Sequence, residues 1–185
     1  MNRDDAWNLL CEYTKTESLR KHALAVEAAM RAYAGKFNED PELWGIVGLL
    51  HDFDYEKYPT AEDHPYKGNE ILEKEGYSED IRKAIMGHAS YTGVPRDSMM
   101  AKALFAVDEL TGFIIAVTLV RPSKAFSDVA PKSVKKKMKD KRFAAKVSRE
   151  EIRQGAEELG VDFDEHISFV VGAMSKVADK LGLNP

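Results

Sequence analysis

Apolar residues recur every three or four positions through most of the chain, the spacing of helices with one face turned inward. Residues 4–13 place Trp7, Leu10 and Cys11 on one side, and Thr16 is positioned to cap a longer helix. Its stripe of Leu19, Ala23, Val26, Met30, Tyr33 and Phe37 predicts that this helix runs to about Phe37. Asp40-Pro41 is a cap followed by proline at the first helical position. It predicts a helix over 41–52 with Leu43, Trp44, Val47, Leu50 and His51 inward. Residues 53–63 read as a loop. Asp63-His64-Pro65 opens a helix whose face continues through Gly68, Ile71 and Leu72, where Gly68 leaves room for a close neighbour, and Gly76 ends it.

Ser78 caps a helix over 79–90 with Ile81, Ile85 and His88 together, and Asp97 or Ser98 opens a long apolar helix to about Val120. The inner stripe of that helix runs past Leu104, Phe105, Gly112 and Ile115 and contains Asp108. Beyond a loop at Arg121–Lys124 the chain becomes basic from Lys132 to Arg142. Ser148-Arg149-Glu150-Glu151 has capping-box spacing, and a last helix of about 163–181 packs Ile167, Val170, Val171, Met174 and Val177. His166 falls on its polar start and reads as a surface residue. No alternating run appears, so the expected fold is all-α.

Against this pattern a few polar residues are out of place. The run Gly48-Leu49-Leu50 ends in His51-Asp52, which puts an imidazole and a carboxylate at the inner end of a buried element. Burying that pair is costly unless something satisfies both, and a metal ion does. His22, His64, His88 and Asp108 also lie at helix ends or inner faces, so six candidate ligands come from five segments. An acid centred on an apolar face, as Asp108 is, needs a buried arginine, a histidine or a metal. Imidazoles mixed with carboxylates suit hard or borderline divalent ions, and Fe, Mn, Co, Ni, Mg and Zn are not distinguished by this set. Asp52 has two oxygens and can serve two ions: His22, His51, Asp52 and Asp108 for one, and Asp52, His64 and His88 for the other. Two ions sharing a hydroxide would provide a nucleophile at neutral pH and a clamp for phosphate oxygens.

Composition narrows the setting. With 185 residues, 44% hydrophobic and 31% charged, the chain suits one domain over 1–185, read as a core of about 17–120 and a C-terminal helical extension of about 121–185. A net charge of −4 argues against a general nucleic-acid binder. Cys11 is the single cysteine, which excludes an intramolecular disulfide and a cysteine zinc site. No apolar run reaches the roughly 18 residues of a membrane span, and the polar N-terminus is unlike a signal peptide, so a cytoplasmic protein is expected. Arg121 and Lys124, leaving the end of the Asp108 helix, are candidates to hold a phosphate. Asp54, two residues past Asp52, is a candidate to orient a water or pass a proton to a leaving group. The Lys135–Arg142 run is either a solvated face or an attractor of polyanions.

His22, then His51-Asp52, then Asp108 resembles the H…HD…D signature of the HD-domain phosphohydrolase superfamily, over roughly residues 18–115. The additional His64 and His88 resemble its binuclear, HDIG-type branch. His88-Ala89-Ser90-Tyr91-Thr92-Gly93 with Ala106-Val107-Asp108 is similar to bacterial HD proteins that cleave dinucleoside polyphosphates. The resemblance implies a helical bundle with metals held between helices, and a small phosphate substrate such as a nucleotide. It also implies two alternatives, since superfamily members include di-iron oxygenases, and a non-catalytic metal- or nucleotide-binding domain would share the ligands. Phe53-Asp54-Tyr55 stands where HDIG proteins have Ile-Gly-Lys, so the family lysine is absent unless Lys57 or another residue replaces it.

Overall fold

A computed structural model describes residues 2–183, and among them there are helices and turns but no strand. The helices are α1 (Arg3–Tyr13), α2 (Glu17–Phe37), α3 (Pro41–Leu50), α4 (Tyr66–Lys74), α5 (Glu79–His88), α6 (Met99–Leu119), α7 (Pro131–Met138), α8 (Arg149–Leu159), α9 (Phe163–Ser175) and α10 (Ala178–Leu181). Short 3₁₀ turns lie at Ser90–Thr92 and Phe126–Asp128. None of the described helices is long and apolar enough to cross a membrane.

The caps explain most of the boundaries. Asp40 Oδ1 accepts from the amides of Glu42 and Leu43, ahead of Pro41. Ser98 accepts from Ala101 and Ser148 from Glu151, opening α6 and α8. Thr16 precedes α2 as expected but makes no side-chain cap bond; its amide and hydroxyl go to Glu56. Leu43 is 38% exposed, on the outer side of α3 rather than inward. The apolar stripe read as one helix over 163–181 is divided by a turn at Lys176–Val177 into α9 and α10. The basic stretch contains a helix of its own, α7, which buries Val134 and Met138 while Lys135 pairs outward with Asp164.

Helix α6 is the axis of the bundle, touching α2, α3, α5, α7, α8 and α9. Its buried face is almost wholly apolar, from Met100 to Val117. Two glycines allow the closest approaches. A Cβ on Gly48 would sit 3.0 Å from the Val26 carbonyl, so α3 lies against the backbone of α2. A Cβ on Gly155 would meet Ala106 Cα at 2.6 Å, so α8 lies tighter still on α6. One hydrophobic core takes side chains from both sides of residue 120, including Met30, Tyr33, Leu104, Leu110, Ile152, Ile167 and Val170. The extension is therefore packed into the same interior as the helices carrying the candidate ligands.

Candidate metal centre

Packing of α2, α3 and α6 brings three of the predicted residues together. His22 of α2 faces Asp108 of α6, with Nε2 3.0 Å from Oδ1. His51 follows the last residue of α3 and is fully buried. Its Nδ1–H donates to the Gly48 carbonyl at 2.8 Å, because a carbonyl can only accept. That leaves Nε2 turned toward Asp108 Oδ1 at 3.3 Å and Asp52 Oδ2 at 3.5 Å, with no hydrogen-bond partner. Phe53, buried beneath the turn, fixes the chain here: its carbonyl accepts from Thr14 Oγ1 and its ring stands edge-on to Tyr13.

A second group forms beside the first. His88, at the end of α5, donates Nδ1–H to the Ile85 carbonyl, and its Nε2 lies 3.1 Å from Asp52 Oδ1. His64 lies 3.2 Å from the same oxygen through Nε2. Its Nδ1–H donates to Asp54 Oδ1 at 2.8 Å, while Asp54 Oδ2 accepts from the Gly68 amide at 2.8 Å. Asp54 is thus buried behind His64 with both oxygens engaged. This corrects the expectation that it meets water or a leaving group; it sets the tautomer and angle of His64 instead. The room predicted at Gly68 is taken by this carboxylate, since a Cβ there would lie 2.7 Å from Asp54 Cγ.

The six residues fall into two groups, His22/His51/Asp108 and Asp52/His64/His88, and within each group the donor atoms lie within 4.8 Å of one another. Asp52 turns one oxygen to each group. The cluster is electron-rich: the Nε2 atoms of His64 and His88 are 3.3 Å apart, and two lone pairs at that distance repel unless a cation or proton lies between them. Burial opposes charging of His64, but Asp52 and Asp54 outweigh it and hold the imidazole up at about 9. His51 follows the same balance, with burial overcome by Asp52 and Asp108. The orphaned His51 nitrogen and the facing His64 and His88 nitrogens fit a divalent ion in each group.

The family profile of the HD domain matches residues 19–110, a span holding all six residues. The chain belongs to the HD-domain superfamily. Neither the curated proteins nor the solved structures returned a match.

In this HD domain His22, Asp52, His64, His88 and Asp108 line a cavity of about 420 Å³, and His51 is fully buried beside them. Its walls include Tyr55, Tyr91, Glu109, Lys146, Val147 and Glu151. Tyr91 donates its hydroxyl to the His64 carbonyl, and the Tyr55 ring stands edge-on to His64. Burial and neighbouring Asp108 push the Glu109 carboxyl up to about 7, although the Ser148 amide donates to it. Arg121 and Lys124 do not line the cavity. Asp108 is followed by the helical residues Glu109–Leu119, about 17 Å along α6, before the chain reaches Arg121, so Arg121 and Lys124 lie beyond the wrong end of the helix for the expected phosphate contact. Lys57 does not replace the family lysine there either, resting over the rings of Tyr13 and Tyr58. The cation that does reach the cavity is Lys146, in the extension. The capping box at Ser148 marked where α8 begins, but the fold-back of α8 onto α6 has no local signature.

His166 is not on the surface. It is 1% exposed, with Nε2–H donating to the Ala106 carbonyl at 3.0 Å and Nδ1 accepting from the Tyr33 hydroxyl at 2.5 Å. Both nitrogens are satisfied within the core.

Proposed function

We propose that this protein is a metal-dependent phosphohydrolase that binds two divalent ions and acts on a nucleotide or another small phosphate ester. The observation that carries the reading is the convergence of four imidazole Nε2 atoms, that of His51 without a hydrogen-bond partner, and two carboxylates beside an open cavity. His22, His51 and Asp108 would hold one ion, His64 and His88 the other, and Asp52 would contribute an oxygen to each. Bound divalent ions would supply Lewis acidity toward phosphate oxygens and lower the pKa of a bound water. The chain contributes orientation: the Gly48 and Ile85 carbonyls and Asp54 pin the far nitrogens of His51, His88 and His64, so each near nitrogen is aimed at the ion that would displace its proton. Asp52 is the residue nearest the chemistry, and Asp54 acts through His64. A binding module with a blocked cleft is disfavoured, because Tyr55 and Tyr91 rim the cavity and are 42% and 54% exposed instead of filling it. We take residues 1–185 as one working unit, since the extension supplies part of the wall.

Protein loaded with Mn, Co, Ni or Fe is to be assayed without oxygen on a panel of nucleotides and phosphate monoesters in ¹⁸O-labelled water. Cleavage with one solvent oxygen in the product is expected. Turnover that requires both iron and dioxygen would move the protein to the oxygenase branch, and full metal loading without turnover would favour a binding module.

A further inference from the structure

Several basic side chains of the protein are committed elsewhere. Arg96 forms a paired contact with Glu158, Lys135 is bound to Asp164, and Lys57 lies on tyrosine rings. Lys146 differs: it lines the cavity, is exposed, and makes no hydrogen bond or ion pair among the described residues. The two other charged side chains on the wall, Glu109 and Glu151, are acidic and hydrogen-bonded to the Ser148 amide and the Ser90 hydroxyl. An anionic substrate entering here therefore meets one mobile positive charge from the protein.

The segment carrying that charge is held by its neighbour in sequence. Arg149 opens α8 and turns back, donating through Nη1 to the carbonyls of Ala144 and Val147, both at 2.6 Å, and through Nη2 to those of Asp140 and Phe143. Its guanidinium also lies 4.8 Å from the ring of Phe113 on α6, against which Phe143 packs edge-on. The Ser148 amide bonds to Glu109, the residue beside Asp108. Ala144 adopts a left-handed φ of 43°, a conformation that an L-residue keeps only where its surroundings impose it. Four carbonyls on one planar donor are far more than a solvated loop needs.

We propose that residues 140–148 are a built presenting loop, and that Lys146 seats an anionic group of the substrate in the cavity lined by the candidate metal ligands. This rests on the phosphohydrolase reading and adds a specificity residue that lies outside the matched HD span. Lys146 is a compact charge on a flexible stem, suited to a phosphoryl group that arrives and leaves. Arg149 is a positioning residue that acts through the loop.

The experiment compares wild type, Lys146→Met, Lys146→Arg and Arg149→Lys at equal metal content. It reads KM and kcat on a cleaved phosphate ester, and the affinity for inorganic phosphate by calorimetry on Mn-loaded protein. Lys146→Met is expected to raise KM and weaken phosphate about tenfold at low salt, the size of one charge-assisted contact. That gap should narrow as salt rises, and Lys146→Arg should recover part of it. Arg149→Lys is expected to speed amide hydrogen exchange across 140–148 and raise KM. If wild type cleaves esters and Lys146→Met leaves KM and phosphate affinity unchanged, the inference falls and the hydrolase reading stands. If wild type cleaves nothing but Lys146→Met still weakens phosphate, the subsite stands and the hydrolase reading falls. If wild type neither cleaves esters nor loses phosphate affinity in Lys146→Met, both fall.

Discussion

Two buried histidine regions lie on either side of α6 and have opposite character. On α9, His166 is enclosed with a partner on each nitrogen, and burial drives its pKa down to about 4. In the cleft, His51 is as deeply buried, yet its Nε2 has no hydrogen-bond partner; burial would lower its pKa, but the facing carboxylates of Asp52 and Asp108 raise it, so this nitrogen takes either a proton or a metal ion. Burial alone thus separates nothing. What marks a ligand is a nitrogen fixed in direction by the bond on the other side of its ring, aimed at carboxylates and without a hydrogen-bond partner, whereas a core histidine has its two hydrogen bonds and is finished.

The contrast can be broken in four ways. The largest effect belongs to Asp52, which faces both groups. Asp52→Ala is expected to remove nearly all bound metal by elemental analysis, whereas His166→Phe should keep full stoichiometry. Equal metal loss in the two variants would erase the distinction between the regions.

Acidification is the next strongest test. His166 is neutral in the fold, with a pKa near 4 against about 6.5 when unfolded, so the unfolded chain binds more protons between those values. Its contribution is complete above about pH 6.5 and is lost as pH falls toward 4, an upper bound of roughly 3 kcal/mol. Urea unfolding across that window should show a shallower pH slope for His166→Phe than for wild type; parallel slopes would mean that His166 does not titrate there.

Asp54→Asn should weaken metal at the Asp52/His64/His88 group by about 10- to 100-fold, in chelator competition, and leave the other group unchanged. An equal effect on both would show that Asp54 supports the fold and not His64.

The smallest effect is expected at Gly68. Helix propensity alone predicts that Gly68→Ala stabilises by about 1 kcal/mol. The 2.7 Å approach of Asp54 predicts instead a net loss of about 1 kcal/mol and weaker metal at the same group. A rise in melting temperature with metal affinity intact would show that Asp54 can move aside without consequence.

The helical periods are legible in the chain because most of their determinants are local: Asp40, Ser98 and Ser148 each act within three residues. His22, His51, Asp52 and Asp108 stand out for a related reason, being polar on apolar faces. Whether a nitrogen is satisfied is not local. Tyr33 lies 133 positions from His166, and nothing around His166 announces it. Asp54 looked like a catalytic acid because it follows Asp52 so closely, but the turn after α3 directs it away, onto His64 and Gly68. Arg121 and Lys124 failed on distance along α6. Lys146 was invisible because its position depends on Gly155 letting α8 reach the backbone of Ala106.

Asp52 has a consequence beyond holding two groups together. Its Oδ1 lies 3.1–3.2 Å from His88 and His64, and its Oδ2 is 3.5 Å from His51. One carboxylate therefore divides a single negative charge between two halves of the cleft. Whatever draws it toward one half withdraws it from the other, so the halves cannot titrate or fill independently. Linkage makes that coupling reciprocal: a ligand in the first half changes affinity in the second by the same factor that the second imposes on the first.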